Sequence, residues 1–175
     1  MSWTVLPGDP VVLLHYSEDP DITAFEPHVP HTNPDARAAV WAIDPERSPL
    51  YWFPRHCPRV AIWANDDDQR QTLKTRFASD AARLQFTPRS WCDEIGACRL
   101  YEYRFDPAPF TPWPDAEGQW VAYERVDPTA IEPVGNLLER HSRASVELRF
   151  VDDLTLVRRQ ALEGDLPFSV VRFRE

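Results

Sequence analysis

Glycine is scarce in this chain, at five of 175 residues. No Gly-x-Gly-x-x-Gly turn, phosphate-cradling loop, Gly-x-Ser-x-Gly elbow or serine-lysine pair of recognised spacing can be drawn from it, which disfavours hydride transfer and kinase chemistry. Positive charge is also short. Nineteen Lys and Arg stand against 28 Asp and Glu, for a net charge of -9. Counterion release on nucleic acid needs a basic face, so general nucleic-acid binding is not expected. No apolar run approaches the length that spans a bilayer, and Met1-Ser2-Trp3-Thr4 lacks the charged and apolar regions of a signal peptide. No membrane partner is therefore expected. The three cysteines, Cys57, Cys92 and Cys98, are odd in number and form no Cys-x-x-Cys pair. Neither a disulfide framework nor a zinc knuckle is indicated, and reduced packing residues in a cytoplasmic protein are the expectation.

What the chain does hold is apolar and aromatic material. Hydrophobic residues at 43% and seven tryptophans supply enough burial to offset the ordering entropy of a folded globule. The length suits one core, so residues 1–175 are expected to form a single domain. Eighteen prolines fall mainly between the apolar runs. Aromatics are interleaved with them, as in Phe110-Thr111-Pro112-Trp113-Pro114, a pattern of loops packed on a core and not of a disordered segment.

Alternation at period two marks strands at Val11–Tyr16, Val60–Ala64, Arg99–Phe105, Gln119–Tyr123, Val146–Val151 and Phe168–Phe173. Val146, Leu148 and Phe150 face away from Glu147 and Arg149, and Tyr101, Tyr103 and Phe105 face away from Glu102 and Arg104. Such half-solvated strands belong to an antiparallel or mixed sheet. Helical spacing follows Asp66-Asp67-Asp68 at Leu73, Phe77, Ala81 and Leu84, with the aspartates placed to cap the helix. A second, short helix is expected to start at Pro133, with Val134, Leu137 and Leu138 inward. A third follows Asp153, with Leu154, Val157 and Ala161 on one face and Gly164 at its end. Strands and helices that do not strictly alternate predict an α+β fold: a mixed, mostly antiparallel split sheet with a few peripheral helices.

Three separated segments are informative together: Leu14-His15-Tyr16-Ser17, then Val40-Trp41-Ala42-Ile43-Asp44 leading to Tyr51, then Gln119-Trp120-Val121-Ala122-Tyr123 running into Val126-Asp127-Pro128-Thr129-Ala130-Ile131. The short apolar run before His15 reads as a strand that delivers the imidazole at its end. In order and character the three resemble the ADP-ribosyltransferase fold, in particular its poly(ADP-ribose) polymerase branch. The resemblance implies an NAD-binding cleft. His15 would bond the nicotinamide-side ribose, backbone groups of Tyr16, beside Ser17, would hold the carboxamide, and Tyr51 would stack on the ring. Cleaving the nicotinamide bond builds cationic charge on the sugar. The family's catalytic glutamate falls here on Gln119, a neutral amide that can bond a hydroxyl but brings no negative charge. The chain also resembles, over nearly its whole length, a bacterial family without a known activity that shares Pro20-Asp21-Ile22, Val40 to Asp44 and Pro54-Arg55-x-Cys57-Pro58-Arg59-Val60.

Arg55 and Arg59 carry guanidinium forks that match the oxygens of a pyrophosphate, or of carboxylates elsewhere in the chain. His28-x-x-His31 lies in a proline-bounded loop and not on a helix face, and Asp66-Asp67-Asp68 lacks the glycine and distal glutamate of a calcium loop, so no metal is assigned. The expectation is a protein that binds NAD or a related ADP-ribose-containing ligand, a nucleotide-type small molecule, with weak or absent ADP-ribosyl transfer or NAD glycohydrolysis. The alternative is a non-catalytic scaffold with a degenerate pocket, whose exposed aromatics such as Trp113 and Trp120 would anchor a protein partner.

Overall fold

The structure is a computed structural model that describes residues 10–30 and 34–173. In chain order its elements are β1 (Leu13–Ser17), β2 (Val40–Ile43), β3 (Arg59–Trp63), α1 (Asp67–Phe77), β4 (Arg83–Pro88), α2 (Cys92–Ala97), β5 (Tyr101–Phe105), β6 (Thr111–Pro112), β7 (Gln119–Ala122), β8 (Ala130–Pro133), α3 (Leu137–Arg143), β9 (Val146–Val151), α4 (Thr155–Leu162) and β10 (Phe168–Val171). Short 3-10 turns occupy Ser48–Tyr51 and Arg89–Trp91. The contacts divide the chain into two compact units. The first holds the described residues up to Tyr51 together with Leu100–Val134, and the second holds Trp52–Arg99 together with the described residues from Gly135 onward.

The first unit is a six-stranded antiparallel sheet in the order β6-β7-β2-β1-β5-β8. Period-two alternation gives it two chemically distinct faces. Leu13, Val40, Ala42, Tyr103, Phe105, Trp120 and Ala122 point to one side, where Phe110 and Val126 complete a buried core. Burying each large side chain there contributes about 1.5–3 kcal/mol. Phe25 presents its edge to Tyr103 and Phe105, at 5.2 and 5.0 Å between ring centres. Leu14, Tyr16, Trp41, Ile43, Glu102, Arg104 and Gln119 take the opposite parity and so line the other face.

The second unit carries the four α-helices found among the described residues. Its sheet runs β10-β3-β4-β9, antiparallel except for the parallel pair β4 and β9. Val60, Ile62, Leu84 and Phe86 of the sheet pack against Leu73 and Phe77 of α1, Val157 and Ala161 of α4, and the loop residues Leu154 and Leu166. Asp66 caps α1 by accepting from the Gln69 N–H at 2.8 Å. Among the described residues no helix is long and apolar enough to cross a membrane.

The α+β class and the mostly antiparallel pairing stand as the sequence indicates. Two helix boundaries are corrected. The period that runs from Leu73 through Ala81 to Leu84 breaks at Ala78, which turns into the left-handed region at φ 50° and ends α1. Leu84 belongs to β4. The short helix expected from Pro133 begins instead at Leu137. Pro133 closes β8, Gly135 makes the turn at φ 82°, and Asn136 caps α3 by accepting from the Glu139 N–H. The strands β2, β4, β6 and β8 and the helix α2 lie outside the elements that periodicity marks.

His141 of α3 gives the second unit a pH dependence. Its imidazole is buried between the edges of Trp52 and Phe53, donates from Nδ1 to the Leu137 carbonyl at 2.7 Å, and leaves Nε2 without a partner. Burial, reinforced by the positive charge of Arg59, holds its pKa below the ordinary histidine value. The unfolded chain therefore takes up a proton, near pH 6.5, that the folded one refuses. This contribution to stability is complete above about pH 6.5 and fades as the pH falls toward the folded-state value. Urea midpoints at pH 7.5 and 5.5 are expected to differ less for His141→Gln than for the wild type.

Candidate functional site

The first unit's sheet is unevenly knit. β1 is in register with β5 at all five of its residues, and β2 with β7 at all four, but β1 and β2 share the single pair Leu14 and Ile43. Continued antiparallel pairing would set Tyr16 against Trp41, and the ladder stops before it does. At the gap, His15 Nδ1 stands 3.0 Å from the Trp41 carbonyl oxygen. A carbonyl only accepts, so Nδ1 carries the proton, and the imidazole supplies the bond that a backbone N–H would otherwise make. The ring is steadied by the edge of Phe25 at 4.8 Å.

The opening is a cavity of about 90 Å³ lined by Leu14, His15, Tyr16, Trp41, Ala42, Ile43, Tyr51 and Gln119. Sites for larger ligands run to roughly 300–1,000 Å³. This one has room for a ring-sized group between aromatic and aliphatic walls and not for a whole dinucleotide. Gln119 Nε2 donates to Tyr51 Oη at 3.0 Å, so the amide and the phenol act as one unit. Tyr16 Oη donates to Glu102 Oε2 at 2.8 Å, directly across the β1–β5 pair. Arg104 Nε donates to the other Glu102 oxygen at 3.1 Å and reaches Glu132 through its terminal nitrogen.

A tight corner aims Gln119 and Tyr51. Asp44 closes β2, donates its N–H to the Gly118 carbonyl at 2.8 Å and accepts from the Arg47 N–H at 2.7 Å. Burial pushes the Asp44 carboxyl up, against the pull of the Arg47 N–H and guanidinium. The buried Arg47 guanidinium pairs with Glu117 and Glu46, and Leu50 N–H to the Arg47 carbonyl winds the turn that ends at Tyr51. Gly118 sits at φ 79°, and a Cβ there would lie 2.5 Å from Arg47 Cγ. Only glycine satisfies both the backbone and the neighbour.

Of the residues singled out in the sequence, His15, Tyr16, Tyr51 and Gln119 meet at this cavity. His15 is not at a strand end as expected. β1 continues to Ser17 because Tyr16 and Ser17 pair with Glu102 and Tyr101. Ser17 does not line the cavity. Its hydroxyl accepts from the Asp19 N–H and starts a turn whose Asp19 carbonyl and Ile22 N–H are both held by Tyr103 Oη. Arg55 and Arg59 belong to the second unit. Arg55 is exposed, while Arg59 is buried, donates to the Cys57 carbonyl and lies over Phe53.

Trp120 is buried in the core and Trp113 half-buried against Trp41, so the expected exposure of this pair is corrected: alternation along β7 turns Trp120 inward. His28 joins Ala39 through two backbone bonds, and His31 lies outside the described residues. Among the described residues no three His, Cys, Asp or Glu side chains gather as a metal site would require. Reading the sequence missed Glu102, Arg47 and Gly118. A glycine between Glu117 and Gln119, in a chain with so few, was the available signal for the corner.

No curated protein and no solved structure matches the chain. A family model described as a family of unknown function (DUF6886) matches residues 14–175, a span that takes in every residue lining the cavity.

Removing the imidazole with His15→Ala leaves the Trp41 carbonyl without that donor. A loss of about 1–3 kcal/mol in urea unfolding is expected. Gly118→Ala is expected to lose a similar ~1–3 kcal/mol through left-handed strain and the clash with Arg47, and to broaden the Tyr51 ring resonances by releasing Gln119.

Proposed function

This chain belongs to that family of unknown function, so its activity has to be read from its own residues, and we propose that the cavity binds the nicotinamide end of NAD or of a related ADP-ribose-containing molecule. The observation that carries the reading is the convergence of His15, Tyr16, Tyr51 and Gln119, from three separated segments, on one ring-sized hollow. Aromatic walls favour a planar heterocycle, and aromatic pairs contribute about 0.5–1.5 kcal/mol beyond the area they bury. The cavity's size accommodates only the ring end, which leaves the sugar and phosphates of such a ligand outside it. The segments that meet here are those that resemble the ADP-ribosyltransferase fold, and the proposal extends that resemblance to the ligand.

On this reading Gln119 limits the chemistry. An amide bonded to Tyr51 orients a ligand, but it offers no carboxylate to a sugar developing oxocarbenium charge. Transfer or glycohydrolysis is therefore weak or absent, and binding is the activity. We place the protein in the cytoplasm, in keeping with three cysteines that form no disulfide.

Calorimetric titration of the folded protein with NAD and with nicotinamide tests the reading. Heat is expected with both, and the affinity is expected to fall at least about tenfold in Tyr51→Ala, a change of roughly 1.4 kcal/mol. A flat trace for the folded wild type removes the proposal. Gln119→Glu is expected to raise NAD hydrolysis above the wild-type rate, read as nicotinamide released.

A further inference from the structure

We propose that the second unit carries a binding site of its own, for a small aromatic carboxylate, in the crevice at the end of its sheet where β4 and β9 finish. These two strands are parallel neighbours, paired from Arg83 and Val146 to Pro88 and Val151. The helices that follow them leave on opposite sides. α4 packs on the face of Val60, Ile62, Leu84 and Phe86. α2 lies against α3 through Gly96 and Leu138, and α3 sets His141 against Phe53. Over Phe53 lies Arg59, whose parity on β3 is opposite to that of Val60. Parallel neighbours whose connections part in this way leave a gap beyond their carboxyl ends, where sheets flanked by helices take their ligands. The start of β3 and the end of β10 meet at the same place, with Arg59 opposite Val171. The gap is a cavity of about 570 Å³, within the range of small-molecule sites.

Its walls decide the ligand. Trp91, Leu154 and Phe173 give an apolar side. Phe173 packs on the core of this unit and is held by Arg158, whose guanidinium lies 4.8 Å from the ring centre. Such walls suit a flat body of one or two rings. Asp152 and Asp153 also line the crevice, but both are engaged. Asp152 pairs with Arg89 at 3.2 Å, and Asp153 accepts from the Thr155 N–H at 2.8 Å and from the Thr155 hydroxyl. Arg172 and His56 line it too, are exposed, and pair with no described residue. Arg172 follows the last residue of β10 at φ 54°, a left-handed turn that takes it out of the line of the strand. His56 belongs to the Pro54-Arg55-His56-Cys57-Pro58-Arg59-Val60 segment, which the ring-sized cavity leaves unused. Its loop is fixed by the Cys57 N–H on the Pro54 carbonyl and the Thr87 hydroxyl on the Pro58 carbonyl, both at 3.0 Å. A guanidinium fork matches a carboxylate, and an imidazole offers an N–H in either protonation state. A carboxylate brings one negative charge for Arg172 to balance, whereas a phosphate dianion sets a second against Asp152 and Asp153.

The test is titration of the full chain at pH 7 with one ring body carrying three side arms: indole-3-acetate, the neutral indole-3-ethanol and the cationic indole-3-ethylamine. Affinities and amide chemical shifts are read for the wild type, Arg172→Gln and Trp91→Ala. The wild type is expected to bind the acetate at least about tenfold more tightly than the alcohol, and the amine no better than the alcohol. The shifts are expected to gather at Trp91, Asp153, Thr155 and Phe173. In Arg172→Gln the preference for the acetate is expected to shrink to within about threefold. Trp91→Ala is expected to weaken the acetate and the alcohol alike, by at least about threefold. Equal affinity for acetate and alcohol, or tighter binding of the amine, overturns the carboxylate assignment. An unchanged preference in Arg172→Gln overturns the role of Arg172. Shifts confined to the first unit, or no binding of the acetate by the folded wild type, overturn the site itself, and each of these outcomes leaves the nicotinamide reading as it stands.

Discussion

A side-chain hydrogen bond from His15 Nδ1 to the Trp41 carbonyl bridges β1 and β2 where their backbone ladder stops. Strand pairing is cooperative along its length, and a carbonyl that loses its ladder partner inside a protein must find another. The imidazole meets that need sideways. β1 can then stay fully paired to β5 and β2 fully paired to β7, while the seam between β1 and β2 opens after one residue pair. The opening is a hollow walled by Leu14, Trp41, Ile43 and Tyr51. His15 thus has a structural part in the sheet: its ring contacts Phe25, and its proton bridges the two strands beside the cavity that it helps to line.

The polar groups around the hollow are held by other protein groups. Tyr16 is governed by Glu102, which is in turn governed by Arg104. Gln119 and Tyr51 are governed by each other and by the Asp44-Arg47-Gly118 corner. Catalytic and binding geometry depends on such supporting partners, because a side chain locked by packing and a second hydrogen bond loses little freedom when a ligand arrives. The acidic surplus of the chain appears here as a local device. Glu102, Glu117 and Glu132 each stand against an arginine of this one sheet or its corner.

Much of this was legible in the residues. The alternation of Tyr101, Tyr103 and Phe105 gave β5, and the run ending at His15 gave β1, because period two is a direct imprint of a sheet with one buried face. The segments bearing His15, Tyr51 and Gln119, far apart in order, were expected to meet, and they line one cavity. The rest depended on register. That β1 meets β2 at one pair only, and that Tyr16 falls opposite Glu102, are facts about strand offset, which a slip of one residue would reverse and which composition does not encode. The break of α1 at Ala78 and the delay of α3 to Leu137 were hidden for a related reason: the hydrophobic spacing continued past the point where a left-handed residue or a cap ended the helix.

The account stands on the claim that the seam between β1 and β2 is a binding site for a planar ring. Amide chemical shifts followed during titration with nicotinamide test it most directly. The changes are expected to concentrate at Leu14–Tyr16, Trp41–Ile43, Tyr51 and Gln119, with the β5 and β8 edge of the sheet little altered beyond Glu102. Shifts confined to the second unit, or none at saturating ligand, would contradict it.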